Sequence, residues 1–530
     1  MIKNYLLITW RSMMKNKFFI FVNILGLAVA IGCCIVAYFN WEFDAQFDKH
    51  HTQGENIYRV CTVSEFDGRT TVYGYAPLPL GNVIRENVPD VEKVVRMSWS
   101  FSNFKIQDNL FPAYLAYADP ELFEIFSFEM IDGSASALRD KSKIVLSDEM
   151  AIKLFGRLNV TGEPLTQVVG NTLKEYLVGG VFRKQPANSS FSESAYANYE
   201  NFYDEAKDVE EDDWKNRNTV FVLISDPSRL QAVSGQLQPY RENNNEVRED
   251  FQIREFLVEP FRGMAQRDSA NDVWTQTREA NPTEAVISPI IMAVLVLLIA
   301  CFNLTNTAIA ISSRRLKEIG LRKVMGGMRS QLIIQFLGET AFICAIALLL
   351  GLILGEVLLS GWNALWINMK LTSHYLDNPG FLFFIIGVLV FTALIAGGYP
   401  AFYISHFEPV SILKGKLKFG GTSYFTRTLL GLQYAISLVA VIFAIAFYGN
   451  SLYQRDFDIG FDESAVILAY VDNENEFETY RNALLQNKDI ISVAGSKHSI
   501  FSARYNDPVK HGTKQLEVEI IDVGDDYLKT

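Results

Sequence analysis

Five apolar stretches, each about as long as the 20 or so residues that cross a bilayer core, constrain this chain more than any other feature. They run over residues 18–39, 285–311, 332–359, 381–404 and 429–450. A cleaved signal peptide is a poor account of the first, because it exceeds a usual apolar signal region and Asn40-Trp41-Glu42 offers no small-residue cleavage site. Between the first and second stretches lies a polar segment, 40–284, long enough to build a core of its own. The expected fold is therefore multi-domain: an α-helical transmembrane bundle, five spans present, with a mixed α/β extracytoplasmic domain.

Orientation follows from the short flanks, since Lys and Arg accumulate on the cytoplasmic side. Lys3, Arg11, Lys15 and Lys17 precede span one with no acid among them. Residues 312–331 carry Arg314, Arg315, Lys317, Arg322, Lys323 and Arg329 against the single acid Glu318. Residues 405–428 carry Lys414, Lys416, Lys418 and Arg427 against Glu408. All three read as cytoplasmic, which places 40–284, the short loop 360–380 and everything beyond 450 outside. Residues 1–17, where Leu6, Trp10, Met13 and Met14 recur among bases, read either as an amphipathic helix on the inner leaflet or as a longer first span.

The net charge of −12 comes from the outer segment, where residues 42–284 hold 40 Asp and Glu against 25 Lys and Arg. No nucleic-acid partner is expected of such a chain. Cys61 is the one cysteine of that segment, so no disulfide can staple it internally. Its short apolar runs, such as Lys143 to Leu146 and Val220 to Ser225, have strand character. Ser147 is placed to cap a helix over Ser147 to Phe155, and Gly179-Gly180 reads as a bend in a strand. The acid-rich stretch Phe202 to Asp213 reads as solvated. Asp44, Asp48, His50 and His51 are suitable metal ligands by type, but they read better as a solvated junction, and no metal is expected. Ser189 and Ser190 lack any nucleophile context and read as loop residues.

The loop between spans two and three holds the most specific pattern. In RRLKEIGLRKVMGGMRSQLIIQF, residues 314–336, Leu316, Ile319, Val324 and Met328 form an apolar stripe at helical spacing while Arg315, Glu318, Arg322 and Lys323 stay polar. Gly326-Gly327 ends that helix. Such a helix either lies at the interface without a partner or offers an apolar ridge, framed by positive charge, to a cytoplasmic protein.

Arg315, Glu318, Ile319, Gly320, Leu321, Arg322, Lys323, Val324 and Gly326 together resemble the run R-x-x-E-I-G-L-R-K-V-x-G-A of permeases of the MacB and FtsX type, with Gly327 in place of the final Ala. Further matches are Asp48, Ile57-Tyr58-Arg59-Val60, residues 119–133, KIVLSDEMAIKLFG at 143–156, LVGGVFRKQPANSSF at 177–191 and GGYPAFYIS at 397–405. The resemblance implies a permease subunit of an ABC transporter in the bacterial inner membrane, with a MacB-like periplasmic domain. It implies that the loop helix, Arg315 to Gly326, docks on a cytoplasmic ABC ATPase and relays motion outward for export, efflux or lipoprotein and envelope handling. It also implies a dimer of permease halves or subunits, possible contact with a periplasmic or outer-membrane partner, and a duplicated plan of eight spans in which 451–530 begins a second outer domain. No G-x-x-x-x-G-K-[ST] phosphate loop occurs in these residues, so ATP and Mg are expected on the partner ATPase and no cofactor or catalytic residue in this chain. A receptor that signals an outside ligand to a cytoplasmic enzyme is the main alternative. An outer-domain enzyme is a weaker one.

Within the spans, Asn303, Thr305, Asn306, Glu339 and Glu356 either line a path or hydrogen-bond between helices. Gly351 and Gly355 form a G-x-x-x-G pair suited to close helix packing.

Overall fold

The computed structural model describes residues 17–66, 69–169, 172–206, 208–248, 250–314, 316–366, 369–406, 424–458, 460, 465–469, 471, 474–497, 505–511 and 514–529. The expected N-terminal amphipathic segment and most of the basic linker 405–428 lie outside them. The described residues divide into a helical unit and an α/β unit.

In the helical unit, five helices are long and apolar enough to cross a membrane. Span one is Lys17–Ala45, span two Thr283–Arg314, span three Arg329–Leu365, span four Pro379–His406 and span five Tyr424–Arg455. All overrun the hydropathic stretches at one or both ends, because polar residues at the ends of a stretch still satisfy the helical backbone. Spans one and three meet through glycine: a Cβ at Gly351 would lie 2.8 Å from Ile31 Cγ2, and one at Gly355 would lie 2.9 Å from Ile35 Cδ1. Without a hydrophobic drive between helices in lipid, such close backbone approach is the main source of association. Gly351→Leu is expected to destabilise the bundle by about 1–3 kcal/mol, as overpacking does. A thermal midpoint of the detergent-solubilised chain unchanged by the substitution would contradict this packing.

Polar contacts add to it. Asn23 Nδ2 donates to Thr307 Oγ1 at 3.1 Å, joining spans one and two, and Thr305 Oγ1 donates to Cys301 O at 2.9 Å. Asn303 is half-buried. Neither amide atom of Asn306, though shielded, has a hydrogen-bond partner among the described residues. At the far end of the bundle from the 312–331 loop, Tyr38, Phe39, Tyr375, Phe381 and Phe384 stack with centroids 4.8–5.9 Å apart. Asn378 Nδ2 closes this cluster on Glu42 at 2.6 Å.

The α/β unit is built on one sheet with strand order β12-β1-β11-β4-β5-β10-β7-β9-β6. The strands are β1 (Ile57–Phe66), β4 (Lys93–Ile106), β5 (Asn109–Ala118), β6 (Met130–Gly133), β7 (Lys143–Ser147), β9 (Thr172–Phe182), β10 (Ala195–Asn198), β11 (Arg217–Leu223) and β12 (Ile253–Pro260). Off this path, β2 (Arg69–Tyr73) pairs with β1 and β3 (Ala76–Pro77) with β11. Strand β8 (Pro164–Val169) pairs with both β9 and β4, so β4, β5, β10, β7, β9 and β8 close on themselves.

Strand period two explains what fills this ring. Ala113, Leu115 and Tyr117, then Ile144 and Leu146, Tyr176 and Val178, Ala195 and Ala197 alternate into a single buried cluster. The helix Asp148–Phe155 adds Met150, Ala151 and Leu154, and Ser147 caps it by accepting the Met150 N–H at 3.2 Å. Gly179 is the extra residue of a bulge, since Ile144 faces Val178 and Val145 faces Gly180. One polar cluster is held inside, where Gln167 Nε2 donates to Ser102 Oγ at 2.8 Å and Tyr117 Oη at 2.9 Å. Tyr117 Oη in turn donates to Glu205 at 2.5 Å, so the stretch expected to be solvated turns one carboxylate inward.

The points where the chain enters and leaves the α/β unit are locked to each other. Asp48, with φ 57°, accepts the Ser190 N–H at 2.7 Å and the Ser190 hydroxyl at 2.6 Å. Ser190 O accepts the Arg278 N–H, and Arg262 donates to Asp48 O and His51 O at 2.7 and 2.8 Å. Phe47 packs on Ala265 and Ala280. Asp48 and His51, expected at a solvated junction, are therefore buried, and Ser189 and Ser190, expected in an ordinary loop, are fully buried.

This junction titrates. Burial, then His50 and Arg262, push the His51 imidazole down to about 2, and burial raises the Asp48 carboxyl to about 6 against its Ser190 hydrogen bonds. An unfolded His binds its proton near pH 6.5 (about) and an unfolded Asp near 3.9 (about). His51 therefore contributes stability that is complete above pH ~6.5 and is lost as pH falls through the window below it. Asp48 does the reverse, its contribution being lost as pH rises from ~4 to ~6, so the two slopes oppose there. Asp48→Asn is expected to unmask the His51 slope, steepening the fall of stability between pH 6 and 4 by about 1.4 kcal/mol per pH unit relative to wild type. Parallel pH profiles of the unfolding midpoint for the two proteins would refute the assignment.

Beyond the spans, the described residues hold a helix Glu474–Leu484 and a hairpin of β13 (Tyr505–His511) and β14 (Lys514–Ile520).

Candidate functional site

The loop between spans two and three folds as the short helix Leu316–Val324. Its end is set by Gly326, whose φ of 92° few side chains tolerate. The Gly327 N–H reaches Arg322 O at 2.9 Å and the Gly326 N–H reaches Lys323 O at 3.1 Å, the paired bonds of a Schellman cap. The chain then re-enters helix at Arg329, with Gln331 Oε1 accepting the Met328 N–H at 3.2 Å.

One side of this helix is seated on the bundle. Ile319 is buried against Leu332 and Phe336 of span three and Ala401 of span four, and Gly320 is buried beside it. Arg322 Nη1 donates to Gln335 Oε1 at 2.9 Å, and Gln335 Nε2 donates to Glu339 Oε1 at 2.9 Å, a polar chain running into span three. Lys323 Nζ donates to Ser405 O at 2.6 Å, and Arg329 Nε to Ser405 Oγ at 3.2 Å, which ties the loop to the end of span four. Desolvation and the neighbouring Arg329 charge push the Lys323 ammonium below its ordinary range.

The opposite side is open. Leu321, Val324 and Met325 are 55%, 62% and 84% exposed, at i, i+3 and i+4, and Met328, in the turn beyond the glycine stop, is 60% exposed. The expected single stripe of Leu316, Ile319, Val324 and Met328 therefore divides. Ile319 points into the spans, and Val324 and Met328 join Leu321 and Met325 on the outward ridge. The reason is the seat itself, since the apolar pocket between spans three and four takes Ile319, while the Leu316 side chain lies outside the described residues. Arg315 lies outside the described residues, as does the side chain of Glu318.

Sequence reasoning passed over Gln335, Ser405 and Met325. Gln335 carried a readable signal, being a polar residue in an apolar span one helical turn before Glu339. Ser405, which acts through its carbonyl as well as its hydroxyl, carried none. In the α/β unit the runs IYRV and ADP also acquire roles. Arg59 and Asp268, both fully buried, pair at 2.5 and 2.6 Å, and Arg96 pairs with Asp119 through two bonds of 2.9 Å.

Apolar helices bearing a seated, ridge-forming loop helix, together with an α/β unit inserted after span one, define a multi-pass membrane protein of permease class. Residues 20–240 match the MacB-like periplasmic core domain and residues 290–409 the FtsX-like permease C-terminal region, and the chain belongs to the ABC transporter permeases of the MacB/FtsX type. It is 27% identical to the macrolide export ATP-binding/permease protein MacB of Campylobacter jejuni over 27% of this chain and 22% of that protein. It is 21% identical to the pyoverdine export ATP-binding/permease protein PvdT of Pseudomonas syringae over 76% of this chain and 58% of that protein. The chain thus spans between about a fifth and somewhat over half the length of these curated relatives. The solved periplasmic region of MacB from Actinobacillus actinomycetemcomitans aligns over 40% of this chain and 92% of its own, at 14% identity and a TM-score of 0.29.

Proposed function

We propose that this chain couples ATP hydrolysis on a separate cytoplasmic ATPase to motion of its α/β domain on the other side of the inner membrane, in export, efflux or envelope handling. The observation that carries the reading is the two-sided loop helix. Its inner side is locked to spans three and four by Ile319, Arg322 and Lys323, while Leu321, Val324 and Met325 stand exposed on its outer side and Met328 in the turn that follows. A ridge of that kind, flanked by cations, suits the groove of a partner protein better than water.

Several further features support it. The relatives named above combine ATP-binding and permease parts, and these 530 residues hold the permease part without a phosphate loop, which is in keeping with ATP and Mg bound outside this segment. The basic flanks favour a cytoplasmic position for the loop helix. Span two is helical from Thr283 to Arg314, with Pro289 near its start and no further proline along the rest of its length, and can carry displacement. The α/β unit, with Asp48, Ser190, Arg262 and Arg278 fastening its two chain crossings, can respond as one body. Span five exposes Leu438, Ile442, Phe443 and Phe447, a surface suited to a second permease half.

The test is affinity purification of the full chain from native membranes. A co-purifying P-loop ATPase is the expected outcome. A co-purifying kinase in its place would favour the receptor reading and sink this one.

A further inference from the structure

The α/β unit carries a basic cavity that ATPase coupling does not use. It measures about 280 Å3 and is lined by Tyr75, Lys215, Asn216, Arg217, Arg248 and Gln276. Arg217 opens β11, and its guanidinium lies 3.6 Å from the Phe251 ring centroid and 5.1 Å from that of Tyr75. Its Nη1 donates to Tyr75 Oη at 3.0 Å. Stacking of this kind fixes the guanidinium plane while leaving its other N–H groups to a ligand.

The charges around the cavity do not balance. Arg248 is neutralised by Asp250, to which it donates through Nε at 3.2 Å and through Nη2. Asp213 at the rim is engaged by the Lys215 N–H at 2.8 Å and by Asn216 Nδ2 at 2.7 Å. Neither Arg217 nor the Lys215 ammonium forms a close ion pair among the described residues, although the Asp250 carboxylate also attracts Arg217. Three cations, Lys215, Arg217 and Arg248, therefore face two carboxylates, Asp213 and Asp250, which leaves the cavity net positive in a domain whose sequence is strongly acidic. Desolvation pushes the Arg217 guanidinium below its ordinary range, a strain that a bound anion would relieve.

We propose that this cavity binds a phosphoryl dianion, carried by a free phosphomonoester or by a phospholipid headgroup. Arg217 and Lys215 can each meet one phosphoryl oxygen, and a phosphoryl group offers a third oxygen that a carboxylate lacks. The Asn216 and Gln276 amides and the Tyr75 hydroxyl supply neutral donors for the remaining oxygens.

Calorimetric titration of the full chain in detergent, with phenyl phosphate, dihexanoyl phosphatidate and benzoate as probes, tests this. At least one phosphoryl probe is expected to bind, more tightly than benzoate and less tightly as salt rises. Binding of phenyl phosphate identifies a free ester as sufficient, and binding of the phosphatidate alone identifies a lipid. Arg217→Gln is expected to weaken binding at least tenfold and Lys215→Ser several-fold. The proposal is overturned if neither phosphoryl probe binds at about 10 mM, a very weak affinity, or if the variants bind like wild type. Should Arg217→Gln lose its unfolding transition, Lys215→Ser decides alone, because that side chain is exposed.

Discussion

Arg59→Met is expected to destabilise the α/β domain by about 3–5 kcal/mol, a large share of the 5–15 kcal/mol (about) that holds a typical domain folded. Both members of the Arg59–Asp268 pair are wholly inaccessible, so removing the cation leaves Asp268 as a buried charge with its main partner gone. Thr275, at 3.2 Å from Arg59, and Glu259, at 3.5 Å, would lose their contacts too. The pair joins β1, just after the chain enters the domain, to the helix Met264–Asn271, just before it leaves. The same variant should therefore weaken mechanical continuity between the two crossings. Unfolding midpoints of the detergent-solubilised chain, with limited proteolysis across 46–280, measure the loss. Arg59→Met combined with Asp268→Leu is expected to recover much of it, because the unpaired charge is gone. A double variant no more stable than Arg59→Met would show that the site depends on shape and not on charge pairing.

The second large effect is at the loop helix. Val324→Asp combined with Met325→Asp should weaken association with the partner ATPase by about 100-fold or more. Each apolar side chain buried in an interface contributes about 1.5–3 kcal/mol, and every 1.4 kcal/mol or so is a factor of ten in affinity. Because both residues are largely exposed, the isolated permease should keep its wild-type unfolding midpoint. Ile319→Asp provides the contrast: it should lower that midpoint by unseating the helix from Leu332, Phe336 and Ala401. Wild-type affinity in the Val324/Met325 double variant would remove the outward ridge from the docking surface, while the seat described here would stand.

Much of this molecule was readable before its structure. The helix over 316–324 and its glycine stop follow from local spacing and from the conformational freedom of Gly326. The Ser147 cap was likewise local, a hydroxyl three residues from the N–H it accepts. Misreadings arose where the deciding partner lies far along the chain. Asp48 seemed solvated because Ser190, its partner, is 142 residues away, and Ser190 seemed an idle loop residue for the same reason. Glu205 sits in an acid-rich stretch, and Tyr117, Ser100 and Gln167, which lie 88, 105 and 38 residues earlier, turn it inward.

By itself the sequence determined the number and place of the membrane spans, the acidic inserted domain and the basic loop that interrupts the bundle. Hydropathy over twenty residues and the charge of short flanks are properties of contiguous chain, so no partner is needed to read them. Tertiary structure alone decided how β8 closes the ring, which charges are buried in pairs, and which face of the loop helix is spent on the spans and which remains exposed. Those outcomes depend on surfaces brought together across a hundred residues or more, where pairing a buried charge or filling an apolar seat outweighs local preference.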